Sequence, residues 1–369
     1  MKIGIPKEIL SQEYRVSVNP DTAKMLLQSS HELFIQSGAG IDSGFSDEEY
    51  SALGCIIVET ASEVFDRSEL IVKVKEPSFD EVEMLTNKAI FTYLHLSSSK
   101  ELTQKLLDCN VTGLAYETVV INNETPMLKP MSEIAGRLSL LDSIELLKKS
   151  KGGKGKLIAG TSLVEPANVL IIGGGIVGLN AMQMSLGLGA STTLLDVNND
   201  LLVDIKAKYP AVNVAESSRQ VIENILPMVD VVVGAVLTPG GKPPIVISRD
   251  MLSLMEPKTI LSDVSIDQGG CFETSKATTH GDPTYEVDNI IHYCVRNIPS
   301  AVPFTATNAL NEATKPFILK FANSGLNGLF EDEKLLMALN TYDGKITNEE
   351  VAIAHSLDYS DPKSLYFSN

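Results

Sequence analysis

One stretch, Asn168 to Asn180, restricts the fold of this chain more than any other. Val169 to Ile172 is a short unbroken apolar run, the pattern of a parallel strand buried on both faces. Gly173, Gly175 and Gly178 follow at once in G-x-G-x-x-G spacing, and Asn180 to Gly187 reads as a helix. In such a turn the first glycine permits the bend and the second lets a pyrophosphate approach the backbone. The third lets helix and strand pack closely, so that the N–H groups of the helix start face the phosphates. A glycine-rich turn alone also reads as an ordinary strand–helix connection. A second test comes from the next apolar strand, Thr192 to Leu195, which ends in Asp196. An acid about 20 residues beyond the glycines is placed to bond an adenosine ribose diol and to repel a 2′-phosphate. Strand, glycines, helix and acid together predict a dinucleotide site that takes NAD in preference to NADP.

At 369 residues the chain is long for one domain and comfortable for two. Its formal net charge of −17 argues against a nucleic-acid partner, and its basic cluster, Lys148 to Lys156, reads as a short solvated loop. The cysteines Cys55, Cys109, Cys271 and Cys294 form no C-x-x-C pair, and with five histidines they suggest neither a zinc site nor a disulfide framework. We therefore expect no bound metal. No run reaches the roughly 18 apolar residues of a membrane span, and the N-terminus has no signal-like region. The expectation is a cytoplasmic protein.

Alternation of strands and helices runs along both halves. Residues 2 to 5 read as a strand, Lys7 to Val18 as a surface loop or short turn, and Asp21 to Ser29 as a helix with Asp21 as N-cap. Strands are expected at 31–36, 55–58, 70–74, 89–94 and 111–115, with helices at 47–53, 62–65 and 99–108. Ser132 to Lys149 is a long helical pattern. Beyond the glycine turn, strands are expected at 212–215, 229–235 and 259–264, with helices at 218–226 and 249–254. Thr305 to Ser324 reads as a second long helix interrupted by Pro316, and 326–356 as short helices around a turn at Asp343-Gly344. The fold class is α/β, with two doubly wound domains. A Rossmann-type domain, 130–303, is inserted into a discontinuous domain of 1–129 and 304–369, and long helices join the two. The cleft above both sheets is where a ligand of such folds belongs.

Several charged residues fall just after strands. Lys75 and His95 close two apolar strands, and Arg15 lies in the loop after the first. If those strands are parallel neighbours, the three side chains share one edge. A guanidinium holds a carboxylate, a lysine polarises a carbonyl, and a histidine titrates near neutrality. That trio suits a small 2-oxo acid. Taken singly, Lys75 also reads as a solubilising charge, His95 as a satisfied buried histidine, and Arg15 as a surface residue. Asp267 follows the 259–264 strand, where it either faces the cleft or forms an Asx turn into Gly269-Gly270.

Further segments are specific: Ile5-Pro-Lys-Glu8, Gly38-Ala-Gly40 with Gly44-Phe-Ser-Asp47, Val72-Lys-Val-Lys-Glu-Pro77, Thr92-Tyr-Leu-His-Leu96 and Met131-Ser-Glu-Ile-Ala-Gly-Arg137. Gly152-Gly-Lys-Gly155, Asp263-Val-Ser-Ile-Asp-Gln-Gly-Gly-Cys271 and Leu339-Asn-Thr-Tyr-Asp-Gly-Lys345 continue the series. Through them the chain resembles, nearly end to end, the alanine dehydrogenase family, related to the N-terminal region of the transhydrogenase α-subunit. The resemblance implies NAD-dependent, reversible oxidative deamination of L-alanine to pyruvate and ammonia by a hexamer. It implies that Arg15 and Lys75 bind substrate, with His95 and Asp267 carrying protons from opposite sides of the cleft. Ser132, Gly173, Gly175, Gly178, Asp196, Val236, Leu237, Ile266 and Asn297 become the cofactor contacts. The chain departs from the family where Phe304 replaces an arginine, where Leu201 replaces a frequent basic residue, at Ser97-Ser98, and over 138–143. A dehydrogenase for another small amino acid or 2-oxo acid, or a non-catalytic NAD(H)-binding module, is the alternative.

Overall fold

A computed structural model describes residues 1–236 and 243–366. Six strands come first: β1 (Lys2–Ile5), β2 (Glu32–Gln36), β3 (Ile56–Val58), β4 (Leu70–Val72), β5 (Ala89–Thr92) and β6 (Thr112–Ala115). Then follow β7 (Asn168–Ile172), β8 (Ser191–Asp196), β9 (Asn213–Glu216), β10 (Val231–Gly234), β11 (Ile260–Asp263), β12 (Thr284–Val287) and β13 (Ile290–Tyr293). Last are β14 (Leu339–Tyr342) and β15 (Lys345–Ile346). The chain divides into two compact units, 1–131 with 300–369, and 132–299.

The first unit holds an eight-stranded sheet in the order β15-β14-β6-β5-β4-β1-β2-β3. β1 to β6 pair in parallel, whereas β14 and β15 add an antiparallel edge. The central strands are buried on both faces: Ile3, Ile5, Leu70, Ile71, Val72, Ile90 and Phe91 are fully covered. Each such aliphatic side chain contributes about 1.5–3 kcal/mol by leaving water. The Lys7–Val18 segment is an irregular loop with a turn at Ser11-Gln12, as expected, but only its first part lies at the surface, because Glu13 and the run from Arg15 to Val18 are buried. Ser17 Oγ bonds the Val72 carbonyl at 2.7 Å and Val16 N bonds Thr307 Oγ1 at 3.2 Å, which holds the segment over the sheet edge.

The first helix is Pro20–Gln28, and its N-cap is Asn19 rather than Asp21. Asn19 Oδ1 accepts from Thr22 N at 2.9 Å, and the proline at the first helical position needs no N–H partner. The helix Pro303–Glu331 passes through Pro316 with helical dihedrals and breaks instead at Gly325 (φ 60°, ψ −153°), a backbone conformation open to glycine. The turn at Asp343-Gly344 joins two strands, not two helices, because Thr341 pairs with Ile346 and extends the sheet. A helix at Phe79–Met84, capped by Ser78, had no expectation.

The second unit holds a seven-stranded sheet, order β12-β13-β11-β10-β7-β8-β9. β7 to β11 and β13 are parallel, and β12 is an antiparallel edge strand. Alternate residues of each strand feed two cores. Val169, Ile171, Val231, Val233 and Ile260 join one, while Leu170, Ile172, Val232 and Leu261 join the other. That is the physical content of a doubly wound sheet. The segment at 249–254 forms a 3₁₀ helix.

The basic cluster is only partly solvated. Lys154 and Lys156 close on the buried Asp230 carboxylate at 3.2 and 2.6 Å, and Asn168 N donates to the same group at 2.9 Å. Burial opposes ionisation of Asp230, but Lys156 and its neighbours hold the carboxyl below its ordinary range. Among the described residues no helix is long and apolar enough to cross a membrane. The four cysteines are free thiols, and the described residues hold no His, Cys, Asp and Glu cluster suited to a metal.

Candidate functional site

In the first unit β1, β4 and β5 are parallel neighbours, so Arg15, Lys75 and His95 all follow the carboxyl ends of adjacent strands. Arg15 is buried and bonds Glu13 twice, Nε to Oε1 at 2.7 Å and Nη2 to Oε2 at 2.5 Å. Its Nη1 meets Met131 Sδ at 2.9 Å. Burial alone would lower the guanidinium pKa, yet the Glu13 charge outweighs it and the net shift is upward. Lys75 is half-buried, and among the described residues its ammonium has no hydrogen-bond or ion-pair partner. It is a positive charge available to a ligand.

His95 is partly buried and is held by specific partners. Its backbone is left-handed (φ 47°, ψ 35°), a conformation that costs a non-glycine residue about 1–3 kcal/mol. Glu117 holds it there by accepting from His95 N at 2.6 Å and from Leu94 N at 3.2 Å. Ser98 Oγ donates to the His95 carbonyl at 2.7 Å. The ring lies over Tyr93 at 5.8 Å with 13° between planes, and Nδ1 is 3.2 Å from Glu76 Oε2. Burial disfavours the imidazolium, but the Glu76 hydrogen bond and the Glu117 charge prevail, so the pKa is raised. Glu76 moves the other way: burial opposes its charge, but His95 and Lys75 bring it down to about 2. With side-chain exposures of 41% and 37%, solvent screens this pair. A pocket of about 280 Å³ adjoins the pair, lined by Pro77, Ser78, Phe79, Leu94, Ser98 and Leu102 among others.

Beneath this edge lies a buried charge cluster. Lys73 Nζ is 2.7 Å from Glu81 Oε1 and 3.3 Å from Glu8 Oε2, and Glu8 Oε1 accepts from Val74 N at 2.6 Å. Burial disfavours the Lys73 charge, but Glu8 and Glu81 raise its pKa. Burial pushes the Glu8 carboxyl upward despite Lys73. The cluster fixes the backbone from which Lys75 projects.

In the second unit the glycine turn joins β7 to the helix Ile176–Gly187. Gly173 has φ 105°, and a Cβ there would lie 2.4 Å from the Ala235 carbonyl oxygen. A Cβ on Gly178 would lie 1.8 Å from the Gly173 oxygen. Both glycines are demanded by the protein's own packing. Gly175 differs, because its backbone is ordinary (φ −69°) and nothing lies within 4 Å of a Cβ built there. It opens onto free space, which leaves the backbone accessible to a ligand. Asp196 ends β8; Oδ2 accepts from Gly174 N at 2.6 Å and Oδ1 from Asn198 N at 2.8 Å. Its remaining lone pairs suit a ribose diol.

Ser132 is half-buried on the helix Lys129–Leu146. Val236 and Ile266 lie on the loops after β10 and β11, tied together by Ser265 Oγ on the Val236 carbonyl at 2.7 Å. Leu237 lies outside the described residues. Asn297 is left-handed (φ 58°), and its carbonyl accepts from His280 Nε2 at 3.2 Å. Asp267 is exposed, and its carboxylate has no partner among the described residues.

The family profile "Alanine dehydrogenase/PNT, N-terminal domain" matches residues 4–135, and "Alanine dehydrogenase/PNT, C-terminal domain" matches 139–349. The chain belongs to the alanine dehydrogenase/PNT family. It is 44% identical to an alanine dehydrogenase of Halomonas elongata over 99% of this chain and 100% of that protein. Identity to an alanine dehydrogenase of Methanococcus maripaludis is 46% over 98% of each. A solved L-alanine dehydrogenase structure superposes with TM-score 0.93 at 40% identity, covering 96% of this chain and 99% of that one. A transhydrogenase of Sinorhizobium meliloti shares the fold at TM-score 0.81 and 19% identity.

Within this alanine dehydrogenase/PNT chain, four acidic residues support the site without a local sequence signal of that role. Glu76 and Asp263 lie inside the Val72–Pro77 and Asp263–Cys271 segments. Asp263 accepts from Ser265 N, Cys271 N, Phe272 N and Ser275 Oγ at 3.1, 2.9, 3.2 and 2.5 Å, which shapes the loop that carries Asp267. Glu13, two residues before Arg15, was visible as a charge but not as its bidentate partner. Glu117 had no local signal. Its position follows only once β6 is known to lie beside β5.

Proposed function

We propose that this chain is an NAD-dependent L-alanine dehydrogenase. The reaction takes L-alanine, NAD⁺ and water to pyruvate, ammonium ion, NADH and a proton. The reading is carried by Arg15, Lys75 and His95 on one sheet edge, in a chain of a family whose full-length relatives bear that name.

When bound, NAD supplies the hydride acceptor. Gly173, Gly175 and Gly178 shape its pyrophosphate seat and Asp196 takes the ribose diol, with Ser132, Val236, Leu237, Ile266 and Asn297 as further contacts. Arg15, fixed by Glu13, is the positive pole for the substrate carboxylate, and the unpaired Lys75 ammonium polarises the carbonyl side of the reaction. The His95 Nε2 atom, without a protein partner among the described residues, takes a proton from the substrate ammonium as the α-carbon is oxidised. The water that adds gives up a proton, and one is returned to the amine as ammonia leaves, so that one net proton passes to solvent. Asp267, exposed and unpaired, is the second proton carrier.

The test is the initial rate of NADH formation at alkaline pH with L-alanine, serine, 2-aminobutyrate, glycine and D-alanine, each with NAD and with NADP. Turnover confined to L-alanine and NAD is the expected result. A maximum at another amino acid would replace the substrate. Silence across the panel with NADH still bound would make the chain a binding module. We further propose a cytoplasmic hexamer, supported by the free cysteines and by the family resemblance. Light scattering of the purified protein tests the assembly, and a mass of any other multiple of 39.8 kDa would overturn it.

A further inference from the structure

Glu76 is the acid that faces the His95 ring. Its backbone is restricted by the following Pro77, which disfavours helical dihedrals at the preceding residue. Its carboxylate lies 3.2 Å from His95 Nδ1, and Nε2 has no partner among the described residues. Other groups hold the histidine backbone, namely Glu117 on two N–H groups and Ser98 on the carbonyl. Tyr93 limits the ring to one stacking plane. None of these distinguishes the two ring nitrogens. A carboxylate does, because it accepts only from a protonated nitrogen.

We propose that Glu76 is the positioning residue of the acid–base histidine, holding the neutral His95 ring as the Nδ1–H tautomer so that Nε2 is the atom that takes and returns the proton. This rests on the dehydrogenase reading and deepens it. Glu76 touches neither substrate nor cofactor in this account and acts through the ring.

The charges around the ring decide what its removal does. Glu76 and Glu117 favour the imidazolium, while Lys75 and burial oppose it. The adjoining helix Lys100–Asp108 brings Lys100, engaged on the His355 carbonyl, and the helix Glu349–His355 brings His355, engaged on the Leu96 carbonyl. Glu81, on the helix Phe79–Met84, is paired with Lys73, and Tyr93 lies near Arg15. With Glu76 neutralised, Lys75 and burial face Glu117 alone and the histidine pKa falls. In deamination the unprotonated ring is active, so the acid limb of the rate profile moves to lower pH.

The experiment compares the intact protein with Glu76→Gln, which keeps the shape, and Glu76→Ala, which removes the acceptor. NADH binding serves as the check of folding. The acid limb of kcat/KM for L-alanine should move down by about one unit in both variants, the low end for loss of a nearby opposite charge. In Glu76→Ala kcat should also fall roughly tenfold, less than the 10²–10⁴ for losing the ring itself. ¹⁵N spectra of histidine-labelled protein, assigned with His95→Ala, should show the neutral ring protonated on Nδ1 in the intact chain and shifted toward Nε2–H in Glu76→Ala. An unmoved acid limb with an unmoved tautomer would overturn the proposal. Absence of L-alanine turnover in the intact protein would overturn the activity instead, and the spectra would still decide Glu76.

Discussion

The two units build their sites from different materials. In the first, the proposed site is made of side-chain charges that hold one another: Glu13 on Arg15, and Glu76 and Glu117 on His95, above the buried pairing of Glu8 and Glu81 with Lys73. In the second it rests on backbone, with three glycines at a strand end and a carboxylate bonded to two amide N–H groups. A backbone site needs residues at fixed spacing and is written as a motif. A site of opposed charges needs only that strands place them together. The first kind tolerates little change of shape, the second little change of charge.

The sharpest break of that contrast is Lys73→Met. It leaves Glu8 and Glu81 buried without their cation, and breaking such a cluster costs about 3–5 kcal/mol. Urea denaturation followed by circular dichroism should show that loss, and a change below about 1 kcal/mol would remove the cluster from the account. In the second unit, Gly178→Ala drives a Cβ into the Gly173 oxygen. It should cost about 1–3 kcal/mol and abolish NADH binding. Gly175→Ala is the discriminating partner. Its dihedrals suit alanine, and the lost N-cap preference and gained chain stiffness, each of about 1 kcal/mol, oppose one another. It should melt near the unaltered protein and yet bind NADH at least about tenfold more weakly. Unaltered binding would mean that no pyrophosphate passes there. The smallest effect is Asp196→Ala, which should relax the preference for NAD over NADP by about tenfold, the worth of one charge-assisted hydrogen bond. An unchanged ratio would make Asp196 a strand-end residue only.

This contrast also explains what could be read from the chain. The glycine turn, the strand ending at Asp196 and the α/β alternation were legible because each is a local pattern with one backbone meaning. Lys75 and His95 could be placed at strand ends, and their sharing of an edge awaited only the sheet order. The burial of Arg15 was not legible, since a loop of mixed charge looks solvated until Glu13 is known to pair within it. The N-cap moved from Asp21 to Asn19 because Pro20 sets the helix start. The strands around Asp343-Gly344 follow from pairing with the distant β6, which periodicity does not record, and the helix breaks at Gly325 in a positive-φ backbone conformation open to glycine.

Proton transfer is proposed to belong to the charged site and cofactor binding to the backbone site. His95→Ala tests it directly, with NADH affinity by fluorescence titration and turnover of L-alanine measured on the same preparation. The predicted result is an affinity within about twofold of the unaltered protein, with turnover down by roughly 10²–10⁴. Turnover near normal, or NADH binding lost together with it, would contradict the claim.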